Sequence, residues 1–394
     1  MSAKIIVVHI ITRLELGGAQ QNTLYTVSHL DRDKFIPVLI TGSEGILVED
    51  ARQVPDLRTF FLPALVREIA PAKDFKTLLE IRRILRGLKQ EWKGNPVIVH
   101  THSSKAGILG RWAGYFAGAD IVMHSVHGFG FHPFQRSISR TLFVLAERLT
   151  SLVSDHFIVV SEANRETGIR YKLFDSENST LIRSGISIAR FRDCAADVRQ
   201  LRSSLGIEEK APLAGMIACF KPQKAPLDFV RVAAMVREKV PEARFMLVGD
   251  GELRKEIEHL SREKGLEGAL VLTGWRRDMP ELLKTMDMLV LTSRWEGLPR
   301  VFPQALAAGR PIVASRVDGA PEAVQDGVNG FLLKPGDLKG FAEKITLLME
   351  DAKLRQKMGS RANEHLSAFD IGRMVADQEK LYRKLLEEKF PGQK

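Results

Sequence analysis

Cysteine is nearly absent. Cys194 and Cys219 are the two thiols in 394 residues, and they form no CxxC pair. No disulfide framework or thiolate metal site can organise such a chain, and a reducing compartment is the expectation. Also missing is any apolar run near the roughly 18 residues that a membrane-spanning helix needs. Met1–Ile11 has one lysine and a short apolar run with no small-residue cleavage site after it, so it reads as a buried first strand and not as a signal peptide. No Gly-x-Gly-x-x-Gly follows that run, which argues against a dinucleotide dehydrogenase. An acidic excess is lacking too. The formal charge is +10, and the basic surplus divides evenly between the halves. That pattern does not suit a nucleic-acid-binding arm; it suits phosphate-bearing ligands or an anionic membrane surface.

What is present is a repeated grammar. Short β-branched runs at 4–10, 37–41, 97–101, 121–125 and 156–160 alternate with helical patterns at 19–30, 74–92 and 135–149. The apolar runs show little alternation, as in strands buried on both faces of a parallel sheet. The second half repeats this, with strands at 213–218, 244–248, 270–273, 288–291 and 311–314. Helices are expected at 226–239, 252–264, 279–286 and 301–308. Serine, glycine and charge interrupt the pattern at 184–193, and a last helix is expected over 370–389. Two α/β, doubly wound, Rossmann-like domains follow from this, with ligands expected at the strand C-terminal edges.

Candidate chemistry therefore belongs in the loops that lead from strand to helix. The first carries Gly17-Gly18 just before a helix, where backbone can approach a phosphate. His100 and His102 end one strand on a common face, a spacing that metal ligands use, with His124 and His127 as further candidates; strand-end histidines that merely hydrogen-bond are the simpler reading. His127-Gly128 follows the next strand. Asp31-Arg32-Asp33 matches an acidic metal-binding pattern but lies between a helix and a strand, at the wrong sheet edge. Lys221 and Lys224 follow the first strand of the second domain, where positive charge can neutralise a diphosphate leaving group. Finally, Glu296-Gly297-Leu298-Pro299 leads from a buried strand into a helix closed by Gly309.

These residues, with Ile182-Arg183-Ser184-Gly185, Gly249-Asp250-Gly251-Glu252 and Asp318-Gly319-Ala320-Pro321-Glu322, together resemble the family 4 glycosyltransferases. The resemblance implies the GT-B fold: two Rossmann-like domains facing a central cleft, and a C-terminal helix crossing back to the first. Residues 1–185 with 370–394 would then form the acceptor-side domain and 186–369 the nucleotide-sugar domain. It implies retaining hexosyl or N-acetylhexosaminyl transfer in polysaccharide, lipopolysaccharide or glycolipid assembly. His127, Glu296 and Lys224 would be catalytic. Gly17, Gly18, Lys221, Lys224, Gly297, Leu298, Pro299 and Gln304 would hold the donor. A UDP-sugar is favoured over a GDP-sugar. No metal or other cofactor is expected, and no nucleic acid partner. The location would be cytoplasmic, with peripheral contact at the inner face of a membrane.

Three positions depart from the family pattern. The second of its paired glutamates is Gln304, the arginine before its lysine is Cys219, and the glycine after that lysine is Ala225. Lys221 would point with Cys219 if the strand ran on, and so replace the missing charge. Alternatives are transfer to a soluble metabolite, a nucleotide-sugar epimerase, and an inactive sugar-nucleotide-binding homologue. For the membrane, the helix at 74–92 is expected to bury Phe75, Leu78, Leu79, Leu85, Leu88 and Trp92 and to expose a stripe of Arg82, Arg86, Lys89 and Lys93. Phe129, Phe131 and Phe134, beside Arg136 and Arg140, would add interfacial aromatics.

Overall fold

The computed structural model describes residues 4–361 and 366–392. The chain divides into two compact units, Met1–Gly185 with Ile371–Lys394, and Ile186–Asp370.

The first unit is built on a parallel sheet of β1 (Ile5–Ile11), β2 (Phe35–Thr41), β3 (Arg58–Phe61), β4 (Val97–His102), β5 (Ile121–Val126), β6 (His156–Val159) and β7 (Ser179–Leu181), in the order β3-β2-β1-β4-β5-β6-β7. Side chains alternate across it. Ile6, Val8 and Ile10 of β1 face the Pro71–Glu91 helix with Val97 and Val99, whereas Val7 and Ile98 face the C-terminal helix Ile371–Lys389. That last helix inserts Met374, Val375, Leu381, Tyr382 and Leu385 into the first unit's core. Each such burial stabilises by roughly 1.5–3 kcal/mol.

A helix that the sequence pattern did not announce, Ser104–Ala117, completes the layer beside the Pro71–Glu91 helix. Its glycines hide it, yet they are what seats it. A Cβ at Gly107 would stand 2.7 Å from the His124 ring, and one at Gly110 would stand 2.7 Å from Thr101. Strands β3 and β7 were also missed. They are edge strands of 4 and 3 residues, too short to show a period.

The second unit has six parallel strands, β8 (Leu213–Ile217), β9 (Arg244–Val248), β10 (Leu270–Gly274), β11 (Met288–Leu291), β12 (Ile312–Ser315) and β13 (Gly330–Leu333), in the order β10-β9-β8-β11-β12-β13. The order reverses between β1 and β4 in the first sheet and between β8 and β11 in the second. At such switch points the loops leaving neighbouring strands diverge and open a crevice. Gly17-Gly18 follows β1, and Lys221, Lys224 and Glu296 follow β8 and β11.

Candidate active site

In the second unit the loops after β8 and β11 are tied into one structure. The Arg294 N–H donates to the Gln223 carbonyl at 2.8 Å, and the Gln223 amide donates to the Trp295 carbonyl at 3.0 Å. The Thr292 hydroxyl donates to the Ala225 carbonyl at 2.9 Å. These bonds fix the turn Pro222–Lys224, from which Lys224 Nζ donates to both Glu296 oxygens, at 2.6 and 2.7 Å. The Glu296 side chain is 5% exposed and that of Lys224 22%. A third loop closes on them: Asp318 Oδ2 accepts the Glu296 N–H at 2.6 Å, and Gly297 O accepts the Gly319 N–H at 3.0 Å. Protein packed around Asp318 pushes its carboxyl above the ordinary range; the Glu296 carboxylate adds to this and the donated N–H opposes it.

Two sequence details find their reason here. Ala225 has φ 46° and ψ 50°, the left-handed conformation that favours glycine. The alanine thus keeps the glycine-like backbone and the turn survives the departure. The Gly249-Asp250-Gly251 motif is a clasp for the lysine loop. The Phe220 N–H donates to the Asp250 carbonyl at 2.9 Å, Leu253 N–H donates to the Phe220 carbonyl at 3.1 Å, and a Cβ at Gly251 would meet that carbonyl oxygen at 2.7 Å.

One expectation needs correction. Strand β8 ends at Ile217, and the Lys221 N–H turns back to the Cys219 carbonyl at 2.8 Å. Strand alternation therefore does not relate Lys221 to Cys219. The helix after Glu296 begins at Val301, as expected, so that Glu296 lies in the loop before it. Its setting is the Lys224 amine and Asp318. Gly309, at φ 73°, closes that helix as expected.

In the first unit, Gly17 precedes the helix Gly18–His29 without any side-chain cap. Asp31 folds onto its own turn, accepting Asp33 N–H at 3.0 Å and Lys34 Nζ at 2.6 Å, between that helix and β2. His127-Gly128 follows β5, with Gly128 at φ 131°. A cavity of about 230 Å³ lies at this loop, lined by Ser103, Ser104, His124, His127, Phe129 and Phe157 among others.

The histidines do gather, but not as the sequence suggested. His9, which drew no attention in the sequence, sits opposite His100 in the β1–β4 register. His9, His100 and His102 bring ring nitrogens within 4.8 Å of one another, a metal-compatible grouping. Their nitrogens are already occupied. His9 Nδ1 and His102 Nε2 are 2.9 Å apart, His102 Nδ1 and His127 Nε2 are 3.1 Å apart, and His100 bonds Tyr382 and Ser125, both at 2.7 Å. A metal would have to displace these bonds. His124 lies away from the cluster, bonded to the Thr101 hydroxyl at 2.9 Å. Burial holds the His9 imidazole down to about 3 and pushes His100, His102 and His124 well below the ordinary value of 6.5.

Two family models divide the chain, Glycosyltransferase Family 4 over residues 16–190 and Glycosyl transferases group 1 over residues 197–365. The UDP-Gal:alpha-D-GlcNAc-diphosphoundecaprenol alpha-1,3-galactosyltransferase of Escherichia coli is 30% identical over 96% of this chain and 97% of its own length. The chain is a family 4 glycosyltransferase. The N,N'-diacetylbacillosaminyl-diphospho-undecaprenol alpha-1,3-N-acetylgalactosaminyltransferase of Campylobacter jejuni is similar to this glycosyltransferase too, at 26% identity over 86% of this chain and 91% of that one. Its fold matches the crystal structure of Anabaena HepE in complex with UDP-glucose, with a TM-score of 0.81 and 20% identity over 96% of this chain and 100% of the other.

Within this glycosyltransferase, the described structure joins Lys224 to Glu296 and places Gly297, Leu298 and Pro299 on the same loop, buried. Gln304 is half-buried one helix turn on, and His127, Gly17 and Gly18 belong to the other unit. Sequence reasoning passed over Asp318 as a site residue. The available signal was its place in Asp318-Gly319-Ala320-Pro321-Glu322, directly after β12 at the ligand-binding edge.

Proposed function

We propose that this glycosyltransferase takes a hexose or N-acetylhexosamine from a UDP-sugar and adds it, with retention, to a sugar carried on a polyprenyl diphosphate. The Lys224–Glu296 pair at the switch point of the second sheet carries the reading. A cation there can meet the diphosphate as it departs, and an adjacent buried carboxylate can hold sugar hydroxyls. In this reading Gly297, Leu298 and Pro299 approach the donor by backbone, Gln304 meets the ribose through its amide, and Lys221 adds charge at the diphosphate. Gly17 and Gly18 present backbone to the same group. His127 stands by the transferred sugar, and residues 1–185 with the C-terminal helix supply the acceptor side. Retention is supported by the E. coli relative, which by its name makes an α-1,3 bond from UDP-galactose, a donor that is itself α-linked. Both named relatives act on diphospho-undecaprenol carriers.

The test is a transfer assay with UDP- and GDP-hexoses, in chelator, offering either N-acetylglucosaminyl-diphospho-undecaprenol or soluble sugars. UDP release that depends on the lipid-linked acceptor and survives chelator is the expected result. Equal turnover without acceptor would point to an epimerase or hydrolase. Turnover only with soluble acceptors would remove the lipid carrier, and binding without turnover would mark an inactive homologue.

A lipid-linked acceptor requires a surface that meets the membrane. The helix at 71–91 is not the one expected. It buries Thr77, Ile81, Leu85 and Leu88 while Phe75 and Leu79 are exposed. Three of its four stripe cations bond a neighbouring helix end, since Arg82 and Arg86 each donate to the Phe116 carbonyl at 3.3 Å and Lys89 bonds the Gly118 carbonyl, while Lys93 is exposed. Phe129 and Phe131 stack on each other, with Phe131 buried. The better surface is the Ser137–Ser151 helix and its cap. Ile138, Leu142, Leu145, Leu149 and Leu152 fall on one face at helical spacing and are 50–79% exposed. Arg136, Arg140 and Arg148 flank them, and the helix's lone acid, Glu147, is held by Arg111 at 2.6 Å. An apolar face fringed by arginine suits an anionic leaflet. No described helix is long and apolar enough to cross a membrane, so attachment would be peripheral. Sedimentation with anionic vesicles at low salt should pellet the protein, and Leu142→Ser with Leu145→Ser should leave it in solution. Equal, negligible pelleting with anionic and neutral vesicles would refute the contact.

A further inference from the structure

The first unit holds a run of buried polar side chains whose arrangement has a direction. His127 Nε2 lies 3.1 Å from His102 Nδ1, and His102 Nε2 lies 2.9 Å from His9 Nδ1. His9 Nε2 faces the Tyr382 hydroxyl at 3.4 Å. That hydroxyl also contacts His100 Nδ1 at 2.7 Å and Gln378 Oε1 at 3.2 Å.

Donors and acceptors in this run can be assigned. Burial keeps the His9, His100 and His102 imidazoles uncharged and the Tyr382 phenol protonated. A neutral imidazole has one N–H and one bare nitrogen, and a phenol has one proton. Tyr382 has two closer acceptors for that proton, Gln378 Oε1 and the His100 ring, which can take it at Nδ1 and donate Nε2–H to Ser125 instead. His9, the most distant of the three, therefore keeps its own proton on Nε2 and donates it to Tyr382. His9 Nδ1 is then bare and accepts from His102 Nε2–H. His102 Nδ1 is bare in turn and accepts from His127 Nε2–H.

We infer that Tyr382, acting through His9 and His102, sets the tautomer of His127, so that a neutral His127 carries its proton on Nε2 and its lone pair on Nδ1. Resting on the reading in which His127 stands by the transferred sugar, this makes it a hydrogen-bond acceptor there and not a donor. Sugar hydroxyls both donate and accept, so the tautomer decides which hydroxyl arrangement the site receives. Tyr382, His9 and His102 are positioning residues on this account, and the first of them comes from the C-terminal helix.

The test reads the tautomer directly, by nitrogen NMR of histidine-labelled, full-length protein without ligands. In the wild type, His127 should show a protonated Nε2 and a bare Nδ1. Tyr382→Phe removes the acceptor for His9, and His9→Phe removes the acceptor for His102. Each should shift His127 toward the Nδ1–H form, and either can serve should the other fail to fold. Gln378→Leu should leave His127 unchanged, because the Tyr382 proton can pass to His100. In transfer assays the two phenylalanine variants should lower kcat roughly 5–10-fold, as for one lost hydrogen bond, with the KM for the nucleotide sugar retained. A wild-type His127 protonated on Nδ1, or one that neither variant alters, overturns the inference. So does a concerted shift of His9, His100 and His102 signals on adding zinc, which would make the cluster a metal site. If the tautomer responds as stated and the rate does not, the chain stands and it is the placement of His127 by the sugar that fails.

Discussion

Replacing Glu296 by alanine should lower transfer by roughly 10²–10³ at saturating donor, while circular dichroism and the unfolding midpoint change little. The factor is that for losing one preorganised polar contact to the transition state, about 2.7–4 kcal/mol. The geometry adds a second consequence. Glu296 holds Lys224 through both carboxylate oxygens, so its removal also frees the amine proposed to meet the leaving diphosphate. Lys224→Ala should therefore be nearly as damaging, and the double variant should be far less impaired than the product of the two single losses, as for residues that act as a unit. In Glu296→Ala the freed Lys224 amine, 22% exposed, can turn to solvent, whereas Lys224→Ala strands the buried Glu296 carboxylate and should cost more stability. Near wild-type rates in Glu296→Ala would remove this residue from the site. Strictly multiplicative losses would show that the two groups act separately.

Mild acid should destabilise the first unit steeply. Folded-state values for His9, His100, His102 and His124 lie well below the ordinary 6.5, from burial in each case. Between the folded value and 6.5 the unfolded chain binds more protons than the folded one. Stability therefore rises with pH through that window and is lost as pH falls below about 6.5. Each fully shifted imidazole contributes up to about 1.4 kcal/mol per pH unit, and the four together set an upper slope of roughly 5 kcal/mol per unit. Denaturation profiles at pH 7.5, 6.5 and 5.5 measure this, in a range above most carboxylate titration. A midpoint that stays constant down to pH 5.5 would mean that these rings are not held neutral by the fold.

Much of this is legible in the sequence. The parallel strands carry near-continuous Val and Ile runs because both faces are covered, and that pattern located β1, β4, β5, β8, β9 and β11 within a residue or so. The Lys224 and Glu296 loops could be placed because both follow such strands. What stayed hidden was whatever depends on packing between distant segments. The Ser104–Ala117 helix is seated by glycines, which in sequence read as breaks. His9 looked like one polar residue in an apolar strand, and only the pairing of β1 with β4 sets it against His100. The different setting of the helix at 71–91 has a similar cause. Basic side chains at helical spacing look solvated, but Arg82, Arg86 and Lys89 bond the end of a neighbouring helix that the pattern did not reveal.

The C-terminal helix has a bearing on biosynthesis. Residues 371–389 pack against strands that emerge from the ribosome hundreds of residues earlier. Until they appear, one face of the nascent first sheet is only partly covered, and His100 lacks the Tyr382 hydroxyl. The intervening unit, Ile186–Asp370, draws its core from contiguous chain and can complete itself first. Domains generally fold as units in the order of synthesis. In this enzyme the order is inverted: the half made first waits for residues 371–389 before its core is complete.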